Sequence, residues 1–206
     1  MAKQLGFFID QNYCTGCKTC QIVCKDKNDL PVGVIWRRIA EWVGGTTNRF
    51  NGAVETTAFA YYTSISCNHC EDPICIKVCP TTAIHKGADG IVSIDDNLCV
   101  GCRLCEWSCP YGAPQFDSAR GVETKCNFCA DYLAEGKDPA CVAACPSRAL
   151  EFGEISELRA KHGSINNIAP LPDPSITRPS LVIAPSRNAQ PSGSTDGKVV
   201  NPKELV

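Results

Sequence analysis

Sixteen of the 206 residues are cysteine, and all fall into four groups of four. The first group is Cys14-x2-Cys17-x2-Cys20-x3-Cys24. The second, Cys67-x2-Cys70-x4-Cys75-x3-Cys79, is followed by Pro80. The third, Cys99-x2-Cys102-x2-Cys105-x3-Cys109, is followed by Pro110, and the fourth, Cys126-x2-Cys129-x11-Cys141-x3-Cys145, by Pro146. Thiolates are soft ligands suited to iron–sulfur chemistry, and the first and third groups have the run used for [4Fe–4S] clusters. Three thiolates two residues apart come from one loop that curls around a cubane. The last Cys, four residues on, lies in a following helix, where one turn advances about 5.4 Å, and faces a second cluster. Each group therefore gives three ligands to one cluster and one to its neighbour. Each also keeps its second Cys (Cys17, Cys70, Cys102, Cys129), so no [3Fe–4S] centre is forced.

Other uses of sixteen thiols fit less well. Zinc sites pair two short knuckles across a longer spacer, unlike three Cys within seven residues; a zinc-stabilised structural protein is the alternative from another class. A disulfide framework needs an oxidising compartment. The N-terminus, with its short apolar run before Asp10, lacks the h-region of a signal peptide, so synthesis and filling of the sites in the cytosol are expected. No stretch approaches 18 consecutive apolar residues. A net charge of −2 gives no polybasic footprint for nucleic acid. There is no nucleophile–base arrangement, phosphate-binding Gly loop or flavin fingerprint, so no small-molecule substrate of the chain's own is expected.

The elements that must hold these loops are short. Residues 5–10 read as a strand leading into the first group, and 58–65 as one leading into the second. Residues 83–86 and 90–94 flank a Gly-bearing turn as a hairpin, and 115–117 with 122–124 form another. These repeats suggest two ferredoxin modules, but spacing lets the third group pair with either neighbour. Cys24 is followed by Lys25 instead of Pro, so the first helix is expected to run on through Asn28. Residues 31–57, with Trp36, Arg37, Arg38 and Trp42, read as a β insertion packing on the modules, with partner docking as the alternative. After the fourth group come a closing strand, 149–152, and a helix, 154–162, ended by Gly163. The segment from Ala169 holds seven of the 14 Pro. It is expected to be extended, its Leu171, Ile176, Leu181, Val182 and Ile183 lying along a partner surface.

The four groups resemble those of the iron–sulfur subunits of molybdopterin oxidoreductases, nearest to the B subunits of the dimethyl sulfoxide reductase type. The likeness extends to Gly6-Phe7-Phe8-Ile9-Asp10, Ser64-Ile65-Ser66-Cys67-Asn68-His69-Cys70, Cys109-Pro110-Tyr111-Gly112-Ala113-Pro114-Gln115, Ile168-Ala169-Pro170-Leu171-Pro172 and Asn201-Pro202. The resemblance implies an α+β fold of two interleaved bacterial-ferredoxin-like modules. The outer module would comprise 1–57 and 110–163, the inserted one 58–109, and the extended Pro-rich C-terminal tail 164–206. It implies four [4Fe–4S] clusters: one on Cys14, Cys17, Cys20 and Cys145; one on Cys24, Cys126, Cys129 and Cys141; one on Cys67, Cys70, Cys75 and Cys109; one on Cys79, Cys99, Cys102 and Cys105.

The implied partners are a molybdopterin catalytic subunit and an integral membrane anchor that oxidises quinol, with this polypeptide as the non-catalytic relay between them. The heterotrimer would lie peripherally on the cytoplasmic membrane, and the resemblance allows export of the folded protein with the catalytic subunit. The same relay role in a polysulfide, tetrathionate, formate or other molybdoenzyme, or in a hydrogenase complex, is the alternative. Cations near ligands should raise cluster potentials; Lys18, Lys77, Arg103 and Lys125 are the candidates. His85 reads as a polar strand residue, with proton acceptance beside the quinol as the other reading. His69 reads as a hydrogen-bonding residue of its loop.

Overall fold

A computed structural model describes residues 3–205. Strand β1 (Leu5–Asp10) is apolar on both faces, and both are covered. Leu5, Phe7 and Ile9 belong to the main core, while Phe8 packs with Ile155, Leu158 and Val182. Helix α1 (Thr19–Lys27) carries the last two thiols of the first group. The insertion forms β2 (Arg38–Gly44), β3 (Thr47–Phe50) and β4 (Ala53–Thr56), and β5 (Phe59–Ile65) leads into the second group. Then come α2 (Ile74–Lys77), β6 (Ile84–Lys86), β7 (Val92–Ile94), α3 (Leu104–Ser108), β8 (Gln115–Asp117) and β9 (Val122–Thr124). The chain continues through α4 (Ala130–Ala134), α5 (Ala140–Ala143), β10 (Leu150–Glu154) and α6 (Ile155–His162) to β11 (Leu181–Ala184) and β12 (Gly197–Val199).

The result is a mixed α/β fold of small sheets. One is β10-β1-β11, with β1 antiparallel to β10 and parallel to β11. The second is β12-β2-β5, antiparallel throughout, and β3-β4, β6-β7 and β8-β9 are hairpins. Helix α1 packs on α5, and α2 packs on α3.

Proline sets the lengths of the helices in the cysteine groups. Cys109 precedes Pro110 and is extended (φ −76°, ψ 115°), so α3 stops after five residues, because a residue before Pro is sterically pushed out of the α region. Cys24 meets no such barrier, and α1 continues for nine residues to Lys27. Past its end, Lys25 Nζ donates to the carbonyls of Leu30, Pro31 and Val34.

The C-terminal segment departs from expectation in what it lies against. Its anchors are buried within the protein itself: Leu171, Leu181, Val182 and Ile183 are at most 3 % exposed. Strand β1 has a free edge beside Phe7–Asp10, and β11 fills it; β12 does the same for β2. Asn201 fastens the end by donating to Ile39 O and accepting from Glu41 N–H. Ile176 alone of the expected anchors is exposed. By contrast, the β3-β4 hairpin is exposed at every residue. Limited trypsin digestion of the free chain is therefore expected to cut at Arg49 well before the segment carrying β11, as mapped by mass spectrometry.

Gly6 allows the close approach of that segment. A Cβ there would meet Ser180 O at 2.5 Å and Ile155 Cδ1 at 2.8 Å. Gly6→Ala is expected to destabilise the fold by about 1–3 kcal/mol, as overpacking of a tight core does, read as earlier loss of visible absorbance on heating.

Candidate metal centres

The cysteine loops repeat one backbone device. Lys18 and Arg103, each directly after a second Cys, share φ 63° and ψ 6°. Gly16 (φ 70°) and Gly101 (φ 64°) stand two residues before them. Consecutive turns of this kind aim backbone N–H groups into a concavity suited to anionic sulfur. A side chain at Gly16 would strike the Tyr62 ring at 2.5 Å. After Cys79, Cys109 and Cys145, each followed by Pro, a second device appears. The N–H groups of Thr82, Gly112 and Arg148 donate back to those cysteine carbonyls at 3.4, 3.0 and 3.3 Å, and all three residues have positive φ.

The thiols converge in quartets drawn from more than one group. One cavity is lined by Cys67, Cys70, Cys75 and Cys109. Another is lined by Cys79, Cys99, Cys102 and Cys105, and a third by Cys14, Cys17, Cys20 and Cys145. The remaining four, Cys24, Cys126, Cys129 and Cys141, are all buried. Cys24 lies near Cys141 and Cys129, and Cys126 lies near Cys24, Cys67 and Cys141; α1, which carries Cys24, packs on α5, which carries Cys141. Among the described residues, no group of three or more His, Cys, Asp or Glu is placed to hold a single metal ion. Three of the quartets line cavities that leave space between their thiols.

Burial dominates the electrostatics. It raises Cys14 to about 11, and Cys24, Cys70, Cys75 and Cys105 to about 12. Bare thiolates are therefore unwelcome there, and a bound metal must displace the protons. Neutral hydrogen bonds favour sulfur charge at the rim: Thr19 Oγ1 lies 3.4 Å from Cys17 Sγ, holding that thiol below its ordinary value. Ala113 N–H and Glu123 N–H point at Cys109 and Cys99 Sγ at 3.5 and 3.4 Å. Glu123 itself is buried beside the quartet of Cys99. Burial, with Glu106 nearby, lifts its carboxyl to about 7 against the pull of Arg103.

The cations singled out from sequence are mostly neutralised at the surface. Lys18 pairs with Glu204 at 2.5 Å, Lys77 with Asp72 at 2.6 Å and Arg103 with Glu106 at 2.7 Å. Lys125 is buried and donates to the carbonyls of Val92 and Cys126. Arg103→Ala is accordingly expected to move cluster midpoints by much less than a tenfold change in the reduction equilibrium, because an exposed ion pair carries little net field; EPR titration checks it. His85 is exposed on β6 and pairs across the hairpin with Ser93. His69 is fully buried, and its Nδ1 accepts from Val92 N–H at 3.0 Å, bonding to the next hairpin instead of its own loop. Burial first, then Lys125, Arg37 and Lys86, keep it neutral.

The residue that sequence reading missed is Arg37. Assigned there to a packing or docking segment, it is buried in full among thiols of the first and fourth groups. The sole advance signal was a charged pair, Arg37-Arg38, inside an apolar stretch.

Comparison with known proteins gives the family. A family model described as a 4Fe-4S dicluster domain matches residues 58–155. The B subunit of anaerobic dimethyl sulfoxide reductase from Escherichia coli (strain K12) is 54 % identical over 205 residues, covering all of both polypeptides. The protein belongs to this family of reductase B subunits. The B subunit of polysulfide reductase from Wolinella succinogenes is 41 % identical, over 91 % of this sequence and 97 % of its own length. Thiosulfate reductase electron transfer subunit PhsB of Salmonella typhi is 40 % identical, over 76 % and 79 %. As a member of the family, the protein is an electron-transfer subunit with [4Fe–4S] clusters, not a catalytic one. Among its described residues no helix is long and apolar enough to cross a membrane.

Proposed function

We propose that the protein holds four [4Fe–4S] clusters and relays electrons singly from a quinol-oxidising membrane subunit to a molybdopterin catalytic subunit that reduces dimethyl sulfoxide. The observation that carries the reading is the composition of the cavities. Each is lined by three thiols of one group and one of another: Cys109 with the second group, Cys79 with the third, Cys145 with the first. This exchange is what two interleaved ferredoxin-like modules need, one from 58–109 and the other from the segments around it. The packing of α1 on α5 and α2 on α3 supports the same division.

Bound clusters supply reversible one-electron capacity at each station. The protein's own residues fix the stations. Left-handed loop residues turn amides toward sulfur, the Cys-Pro turns stop the helices where the exchanged thiols stand, and the β1 core excludes water from the inner quartets. Nothing in this needs a moving part. Full-length identity to the B subunit of a dimethyl sulfoxide reductase supports the substrate of the partner, and the match to that of polysulfide reductase supports the same relay for a sulfur substrate.

Anaerobically isolated protein is expected to contain about sixteen iron and sixteen sulfide per polypeptide (four cubanes). Colourless, zinc-loaded material would defeat the reading. Assay of the co-purifying complex with dimethyl sulfoxide and with polysulfide separates the two substrates.

A further inference from the structure

Arg37 is the largest of the fully buried side chains. It follows Trp36 and precedes β2, and the pairing of Ile39 with Ser64 brings it beside β5. Its guanidinium lies 4.5 Å from the centre of the Phe7 ring. Nη1 donates to Ser64 Oγ at 3.0 Å, and that hydroxyl lies 3.5 Å from Cys20 Sγ. Nε and Nη2 find no oxygen or nitrogen acceptor in the protein, and the guanidinium lies within reach of the Cys141 thiol. The other inward cations differ: Arg38 is satisfied by the carbonyls of Tyr111, Gly112 and Leu205, Lys86 by those of Cys70 and Glu71, and Lys125 by those of Val92 and Cys126.

A guanidinium does not give up its proton, and a buried charge without a counter-charge is strongly unfavourable. No described carboxylate forms an ion pair with Arg37. The thiols that would answer its charge are those of Cys141, Cys20, Cys126 and Cys24, which come from two quartets at once and carry negative charge when they bind metal. Each loaded quartet carries a charge of roughly −2 when oxidised, and reduction adds another. A permanent cation near thiols of two such centres, in an interior that screens poorly, favours the reduced form of both.

We propose that Arg37 is a shared positioning charge that raises the reduction potentials of the cluster on Cys14, Cys17, Cys20 and Cys145 and of the cluster on Cys24, Cys126, Cys129 and Cys141. This rests on the cluster reading above. Arg37 binds no substrate; it tells two of the four stations apart from the others by charge alone.

The test is an EPR-monitored redox titration of the full-length protein, isolated anaerobically. Signals of the two clusters are assigned as those lost from Cys20→Ala and Cys24→Ala. Arg37→Gln is expected to shift the reduction equilibrium of each about tenfold toward the oxidised form, about 59 mV for one electron, leaving the other two signals in place. Arg37→Lys, with the charge kept, is expected to hold near-native midpoints. Unmoved midpoints in an Arg37→Gln variant with full iron and sulfide overturn the proposal. So does a tenfold drop in Arg37→Lys. If Arg37→Gln does not retain its clusters, Arg37→Lys decides: retention at near-native midpoints supports the role, and loss from both variants shows that guanidinium shape, not charge, is required and overturns it. Wild-type protein without iron and sulfide would remove the cluster reading and this role with it, whereas loaded but unresponsive variants remove only the role.

Discussion

Cys109→Ala and Cys67→Ala are expected to extinguish the same EPR signal and each to lose about four of sixteen iron atoms, whereas Cys109→Ala and Cys105→Ala extinguish different ones. Cys109 stands four residues beyond Cys105 in its own group, yet lines the cavity of Cys67, Cys70 and Cys75. The geometry follows from α3: Pro110 ends the helix and leaves Cys109 extended and facing the second group, with Ala113 N–H directed at its sulfur. Cys79→Ala is expected to act reciprocally, silencing the signal shared with Cys99, Cys102 and Cys105. Loss of a common signal from Cys109→Ala and Cys105→Ala would show that the quartets follow sequence groups and would refute the exchange.

Truncation after Gly163 is expected to prevent stable cluster retention altogether. It removes Ile168, Leu171, Leu181, Val182 and Ile183, all buried. At about 1.5–3 kcal/mol for each fully buried side chain, their sum is on the order of 10 kcal/mol, comparable with the whole stability of an ordinary domain. The loss also uncovers the edge of β1 and removes Ser180, whose N–H and hydroxyl donate to the carbonyls of Asn68 and His69 in the second cysteine group. The predicted readout is low iron content with an otherwise intact N-terminal sequence. Full iron in the truncated protein would mean that the segment is dispensable packing.

Local features were legible and long-range ones were not. Leu5–Asp10, the hairpins β6-β7 and β8-β9 and the run-on of α1 past Cys24 depend on neighbouring residues, and the sequence pattern anticipated them closely. The partner of the third cysteine group was open to spacing because hairpins flank it on both sides with similar lengths. The burial of the C-terminal segment was missed because its Pro content signals poor self-association, while the open edge of β1 that accepts it is a property of the fold. Arg37 was misread for the same reason: its meaning depends on the register between β2 and β5, which sets Ser64 opposite Ile39, and on thiols as distant in sequence as Cys141.

The parallel pairing of β1 with β11 bears on the order of assembly. During synthesis, Cys14, Cys17 and Cys20 leave the ribosome first but wait for Cys145, and the edge of their supporting strand stays open until Leu181–Ala184 appears. Residues 67–109 meanwhile bring together both of their quartets from one continuous stretch. Contacts between distant residues form late because loop closure must precede them, so a nascent polypeptide can complete its middle before its beginning. Whatever machinery delivers iron and sulfide would then meet residues 67–109 gathered and the N-terminal thiols still waiting, but no quartet would hold its cluster until Ser180 and β11 arrive to lock both regions.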